Sequence, residues 1–146
     1  MMLPEEEISG AYDVGEEYRF YRDLKSVVQL AKQEVFIIDN YLDSQLFDIY
    51  VADLDPKITV RVMTNQVSSS LDNIARKFAG RGNFELRASK DVHDRVVLVD
   101  DRCWVIGQSI KDAAKKKPTY IVEHTANTMR PIYENIWASA TTVVKS

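Results

Sequence analysis

The stretch His93-Asp94-Arg95-Val96-Val97-Leu98-Val99-Asp100-Asp101-Arg102-Cys103-Trp104-Val105-Ile106-Gly107-Gln108-Ser109 decides how this chain is read. Val96 to Val99 is an unbroken apolar run, mostly β-branched, which predicts a buried strand. Trp104 to Ile106 predicts its neighbour, with Asp101 and Arg102 near the intervening turn. Gly107 then lets the chain turn into a loop. Side chains on a strand alternate between faces, so an extended His93 and Arg95 point the same way. An imidazole and a guanidinium side by side are parts for handling a phosphoryl group.

Outward from this hairpin, helical and strand periods alternate. Glu16 to Lys32 carries Phe20, Leu24, Val27, Val28 and Ala31 at helical spacing. Glu34 to Asp39 is a short apolar strand, Asn40 to Asp43 a turn, and Ser44 to Leu54 a short helix broken by Asp55-Pro56. Ile58 to Met63 is a second strand. Ser68-Ser69-Ser70 caps a helix from Leu71 to Ala79 that Gly80 ends. Phe84 to Arg87 is a third strand. After the hairpin, Ser109 to Lys117 reads as a short basic helical turn ended by Pro118, and Thr119 to Glu123 as a strand. Asn127 or Thr128 caps a last helix through Ala140, with Pro131 in its first turn. Residues 1–14 read as a loose acidic lead-in, and no internal repeat is visible. The expectation is one α/β domain over residues 1–146, a sandwich of helices on a mixed β-sheet. Ligands of such sheets bind in the loops beyond strand ends.

The 146 residues carry a net charge of −3, unevenly distributed. Residues 1–56 hold 13 acidic and 4 basic side chains; residues 57–146 hold 9 and 15. The hairpin thus lies in the basic part, which suits an anionic ligand, although a charge run also reads as a solvated face. Cys103 sits in an apolar strand and reads as a small buried hydrophobe. No Cys/His cluster has zinc spacing, so neither metal nor cofactor is expected. No apolar stretch is long enough to span a membrane, and the start Met1-Met2-Leu3-Pro4-Glu5-Glu6-Glu7 is unlike a signal peptide. A cytoplasmic location without membrane contact is the expectation.

The hairpin resembles the signature of the phospholipase D superfamily: His-x-Lys, four residues, Asp, six residues, Gly-Ser-x-Asn. His93, Asp100 and Gly107 fall in register with it. Arg95 replaces the lysine. Gly107-Gln108-Ser109-Ile110-Lys111 replaces the last element, so the serine is one place late and the asparagine is missing. The His-Asp-Arg form, followed by Gly-x-Ser-x-Lys-Asp and a lysine cluster, looks like a bacterial branch of phospholipase D-like domains. The resemblance covers about residues 34–137 and implies a phospholipase D-like sandwich with His93 and Ser109 at one sheet edge.

The resemblance makes His93 a nucleophile toward phosphorus, for which a largely neutral imidazole is suited; the alternative is an exposed loop histidine. Arg95 would clamp a phosphate oxygen, with a planar fork where lysine offers a point charge; the alternative is a strand arginine paired with Asp94 or Asp101. Asp100, five residues on, falls on the other face unless the strand is irregular, so closing the hairpin competes with a catalytic role. Ser109 would bind a phosphate oxygen or cap the following turn. Lys111, Lys115, Lys116 and Lys117 extend a basic track or are simply solvated. Glu123 would orient His93, as a glutamate after the motif does in nucleases of the family, and His124 reads as structural.

The implied activity is a phosphodiesterase, foremost a metal-independent nuclease. The family mechanism uses two histidine motifs and this chain has one, so a homodimer is implied, its symmetry bringing two His93 side chains together. The rival is a catalytically weakened module that binds nucleic acid or another phosphorylated ligand. A third reading is a purely structural interaction domain. Phospholipid cleavage is set aside, because no lipid-facing amphipathic insertion is visible.

Overall fold

Apolar residues at every second position become a mixed eight-stranded sheet in the computed structural model, which describes residues 9–146. In chain order the elements are β1 (Gly10–Tyr12), α1 (Glu17–Gln29), β2 (Glu34–Asp39), β3 (Thr59–Thr64), α2 (Ser69–Ala79), β4 (Phe84–Ala88), β5 (Arg95–Val99), β6 (Arg102–Ile106), β7 (Thr119–His124), α3 (Ala126–Ser139) and β8 (Thr141–Lys145). A π-helical turn covers Phe47–Val51 and a 3-10 turn covers Ile110–Asp112. The sheet order is β1-β7-β6-β5-β2-β3-β4-β8. The β2–β3 and β3–β4 pairs are parallel and the rest antiparallel.

Alternation sorts each strand between two cores. Val35, Ile37, Val60, Val62, Val97, Val99, Trp104, Ile106 and Ile121 meet α1, α2 and the π turn through Phe20, Leu24, Phe47, Leu71 and Ala75. Phe36, Ile38, Met63, Val96, Leu98 and Cys103 meet α3 through Ala126, Tyr133 and Trp137. Cys103 is fully buried, and burial pushes its thiol up to about 11. Among the described residues, no helix is long and apolar enough to cross a membrane.

Several boundaries differ from expectation for local reasons. Part of the supposedly loose lead-in is β1, which pairs with β7 (Gly10 with Ile121, Tyr12 with Thr119) and buries Tyr12; residues 1–8 lie outside the described residues. The helix expected over Ser44–Leu54 is present as a short helical stretch over 45–51, whose last turn, Phe47–Val51, is π-helical and is closed by the Ala52 N–H on the Phe47 carbonyl at 2.8 Å. Ser68 caps α2 by accepting from the Leu71 N–H. Gly80 remains right-handed, however, and the left-handed turn falls on Gly82 and Asn83. The first N–H groups of α3 bond to the Thr125 carbonyl, so Thr125, not Asn127 or Thr128, precedes the helix. Pro131 therefore lies in the second turn, where its missing N–H leaves the carbonyl of exposed Asn127 to water.

These pairings fix which residues can meet. The C-terminal ends of β2, β3, β4 and β6 and the N-terminal ends of β5 and β7 share one sheet edge. The β5–β6 turn and the end of β7 lie at the opposite edge.

Candidate functional site

His93 is exposed in the loop just before β5, at the shared edge. Arg95, the first residue of β5, is half-buried, and its guanidinium is directed at backbone. Nη2 donates to the Gly107 carbonyl at 2.7 Å, Nε to Ile106 at 3.4 Å and Nη1 to His93 at 3.3 Å. Its supposed partners are elsewhere: Asp94 accepts from the Tyr133 hydroxyl at 3.0 Å, and Asp101 lies at the opposite edge. The arginine that stands where the motif has lysine thus ties the end of β6 to the start of β5.

Ser109 does follow β6 into the same edge, but as a buried internal group. Its Oγ lies 2.9 Å from Asp39 Oδ1 and 2.5 Å from the Tyr41 carbonyl. Asp39 ends β2 directly opposite Arg95 and is fully buried. Its carboxylate also accepts from the N–H groups of Ile110 at 2.7 Å and Tyr41 at 2.8 Å. Burial raises its pKa to about 6, against the pull of those two N–H groups, Ser109 and Arg95. Asp39 and Arg95 together hold the strand-exit segment Gly107–Ile110 from both sides. The sequence offered one unused cue to Asp39: a carboxylate closing an apolar strand, at the strand end where α/β sheets place their sites.

Two of the expected site residues lie away from His93. Asp100 sits at the opposite edge, a strand length of roughly 15–20 Å from His93. It adopts the left-handed backbone that aspartate tolerates, φ 52°. Its carboxylate accepts the N–H groups of Lys32, Gln33 and Glu34, each at 2.9 Å. Burial opposes its charge, but those N–H groups outweigh burial and hold its pKa below the ordinary value. Asp100 therefore closes the hairpin, away from His93. Asp100→Ala should lower unfolding free energy by about 2 kcal/mol, read from the urea midpoint, through the lost N–H acceptor and the strained φ. It should leave oligonucleotide affinity unchanged. A depressed carboxylate contributes above its ordinary pKa and loses its contribution as pH falls through the folded value, so the variant's deficit should shrink in acid.

Glu123 likewise lies away from His93. It pairs in register with Trp104 in the middle of β6, and its carboxylate turns toward the opposite edge in a bidentate pair with Arg102 at 2.8 Å. Antiparallel β7 runs away from His93, so a residue at its end cannot orient that imidazole. His124, one residue on, is exposed at the same opposite edge.

Cations remain at the His93 edge. Lys90, Lys115, Lys116 and Lys117 are exposed and make no ion pair among the described residues. Lys111 pairs with Asp112 at 3.4 Å and lies 5.3 Å from the Tyr41 ring centroid. Four buried polar atoms at or beside this edge have no hydrogen-bond partner within the protein: Asn40 Oδ1, Thr64 Oγ1, Gln108 Oε1 and Thr119 Oγ1.

The architecture is a phospholipase D-like α/β sandwich. NucT from Helicobacter pylori superposes with a TM-score of 0.72 at 14% identity, over 92% of this chain and 98% of its own. TrmBL2, an archaeal chromatin protein with a novel mode of DNA binding, gives 0.68 at 14% identity, over 98% of this chain and 56% of its own. The phosphatidylserine synthase of Haemophilus influenzae gives 0.58 at 12% identity, over 94% and 40%. No family model matches the sequence, and a search of curated proteins found no match.

Proposed function

We propose that this chain is a phospholipase D-like module that binds a phosphodiester, foremost nucleic acid, along the His93 edge. One observation carries the reading: at that edge the motif groups Arg95 and Ser109 are committed to internal hydrogen bonds, while His93, Lys90 and Lys115 to Lys117 face solvent. Exposed cations recognise a polyanion without the fixed geometry that turnover requires. The DNA-binding TrmBL2 shares the fold, which agrees with this reading.

The exposure of His93 favours a second reading, a metal-independent nuclease formed by a homodimer. Its free imidazole is the one group of the motif that still faces outward. In that case one His93 attacks phosphorus, forming a P–N bond as the P–O bond to the leaving group breaks. The partner's His93 protonates the leaving oxygen, and water then hydrolyses the phosphohistidine. Two-fold symmetry would bring the identical residues together.

One experiment separates the readings. Wild-type and His93→Ala proteins are incubated with labelled DNA and RNA in EDTA, and both binding and cleavage are followed. The binding module retains nucleic acid, cleaves nothing, and loses less than about threefold in affinity on His93→Ala, well under one hydrogen bond to a charged group. EDTA-resistant cleavage that vanishes in His93→Ala would establish the nuclease instead. Absence of binding to either nucleic acid would reject both.

A further inference from the structure

We infer that Asp39 is a proton-linked positioning residue: by taking up a proton it seats the loop after β6, so that phosphodiester binding at the His93 edge is coupled to proton uptake. The inference rests on the binding reading above for its ligand, but not for its proton.

Ser109 Oγ has one hydrogen and two close oxygens, the Tyr41 carbonyl at 2.5 Å and Asp39 Oδ1 at 2.9 Å. If Asp39 is ionised, both neighbours are acceptors, and one contact is an oxygen pair with no hydrogen between. A proton on Asp39 Oδ1 completes a chain in which Asp39 donates to Ser109 and Ser109 donates to the Tyr41 carbonyl. Oδ1 then still accepts the Tyr41 N–H at 2.8 Å on its remaining lone pair, and Oδ2 accepts from Ile110 at 2.7 Å. The same carboxyl thus fixes the loop through a side chain and a backbone N–H on adjacent residues.

The surroundings supply no full counter-charge. From β5, Arg95 faces Asp39 in register, but its guanidinium is committed to the Ile106 and Gly107 carbonyls, and no ion pair joins the two. His93 precedes it. The loop after β6 contributes Lys111 and Asp112, which pair with each other, and Asp43 follows on the segment of Asp39 itself. The end of β3 and the residue after it contribute only uncharged Thr64 and Asn65. Burial therefore dominates, and the pKa rises to about 6.

The direction of the linkage follows. With the loop seated, Asp39 binds its proton more tightly than a solvated aspartate, whose pKa is about 3.9. Seating is fully favoured below that value and loses its advantage as pH rises through about 6. A gap of about two pKa units is worth up to about a hundredfold in the seating equilibrium. Neutral Asp39 also leaves the charge of Arg95 uncompensated at an edge that receives phosphates. Linkage is reciprocal, so a bound polyanion must raise the midpoint of Asp39.

The test uses protein with carboxyl-¹³C aspartate and amide-¹⁵N labels, titrated by NMR from pH 4 to 8, alone and with a fluorescein-labelled single-stranded DNA oligonucleotide. The expected result is an Asp39 carboxyl that titrates near 6, Ile110 and Tyr41 amides that move with it, and a midpoint raised by the DNA. In a His93→Gln background, which removes the imidazole from the same pH window, affinity should tighten at least tenfold from pH 7 to pH 5. Adding Asp39→Asn, which keeps a neutral donor in place, should hold affinity near its low-pH value at both. An Asp39 midpoint in the ordinary aspartate range, or amides that ignore it, would overturn the proposal. Absence of DNA binding at every pH would overturn the ligand coupling together with the binding reading, and the titration of the free protein would still decide the proton-linked loop.

Discussion

Arg61→Ala should lower the unfolding free energy by about 3 kcal/mol, the lower end of what breaking a buried ion pair costs, because its carboxylate partners keep some solvent. Arg61 lies on β3 under α3, with its side chain 13% exposed. Its guanidinium is stacked 4.0 Å from the Phe36 ring centroid and 5.1 Å from that of Trp137. Nε and Nη2 donate to Glu34 at 3.1 and 2.8 Å; Nη1 and Nη2 donate to Glu134 at 2.7 and 2.5 Å. One planar fork thus joins β2, β3 and α3, a geometry that lysine cannot reproduce. Truncation opens a gap between two aromatic rings and leaves two carboxylates facing each other, with Arg130 as their remaining cation. Arg61→Met restores the packing but not the charge and should recover part of the loss. The hydrogen bonds from Arg61 lead in holding the Glu134 pKa below its ordinary value. That contribution is present above the ordinary glutamate range and disappears as pH falls through the folded pKa, so the wild type's advantage over Arg61→Ala should narrow in acid. Urea unfolding with an unchanged slope and a shifted midpoint measures the effect. A midpoint shift worth less than about 1 kcal/mol, the level of a surface pair, would show that α3 is held by apolar packing alone.

The same network marks a boundary of sequence reading. Arg61 interrupts the apolar run Thr59-Val60-Arg61-Val62-Met63, and nothing near it in sequence names its partners 27 and 73 residues away. What the sequence did reveal is what local period encodes. Glu34 to Asp39 and the Ser68 cap match their elements, and the fold class follows from alternating periods. Short edge strands escaped because three residues of β1 and the threonine-rich β8 take their structure from a partner strand. The edge shared by His93, Arg95 and Ser109 was legible from the antiparallel hairpin. The placement of Asp100 and Glu123 was not, because motif spacing is linear and strand direction decides which end a residue reaches. Asp39 went unassigned for a related reason. As the last residue of an apolar strand it is unremarkable until β5 sets Arg95 opposite it and the β6 exit brings Ser109 onto its oxygens.

Charge reversal at Lys115, Lys116 and Lys117 should weaken oligonucleotide binding more than a hundredfold at low salt, the largest change expected of any surface substitution. The three lysines are exposed, follow the 3-10 turn into β7, and lie beyond the edge where His93 is presented. A lysine in contact with nucleic acid displaces a condensed counterion, so log affinity falls with log salt by about 0.7–0.9 per contact. Replacing all three by alanine should therefore flatten the salt slope by about 2–3, and replacing them by glutamate adds repulsion. A net-charge effect needs its own control, because the protein is already acidic at −3. Lys32, Lys57 and Lys145 provide it: all are exposed, and all sit at the opposite edge, before β2, before β3 and at the end of β8. Reversing those three changes the total charge identically. If the His93 edge is the binding surface, the control triple should lose less than about fivefold, because screening over a Debye length of about 10 Å isolates one edge from the other at moderate salt. Equal losses in the two triples would mean that the protein meets nucleic acid through its overall field and that the His93 edge has no privileged role. Fluorescence anisotropy across a salt series, with thermal unfolding to show that each triple remains folded, measures both.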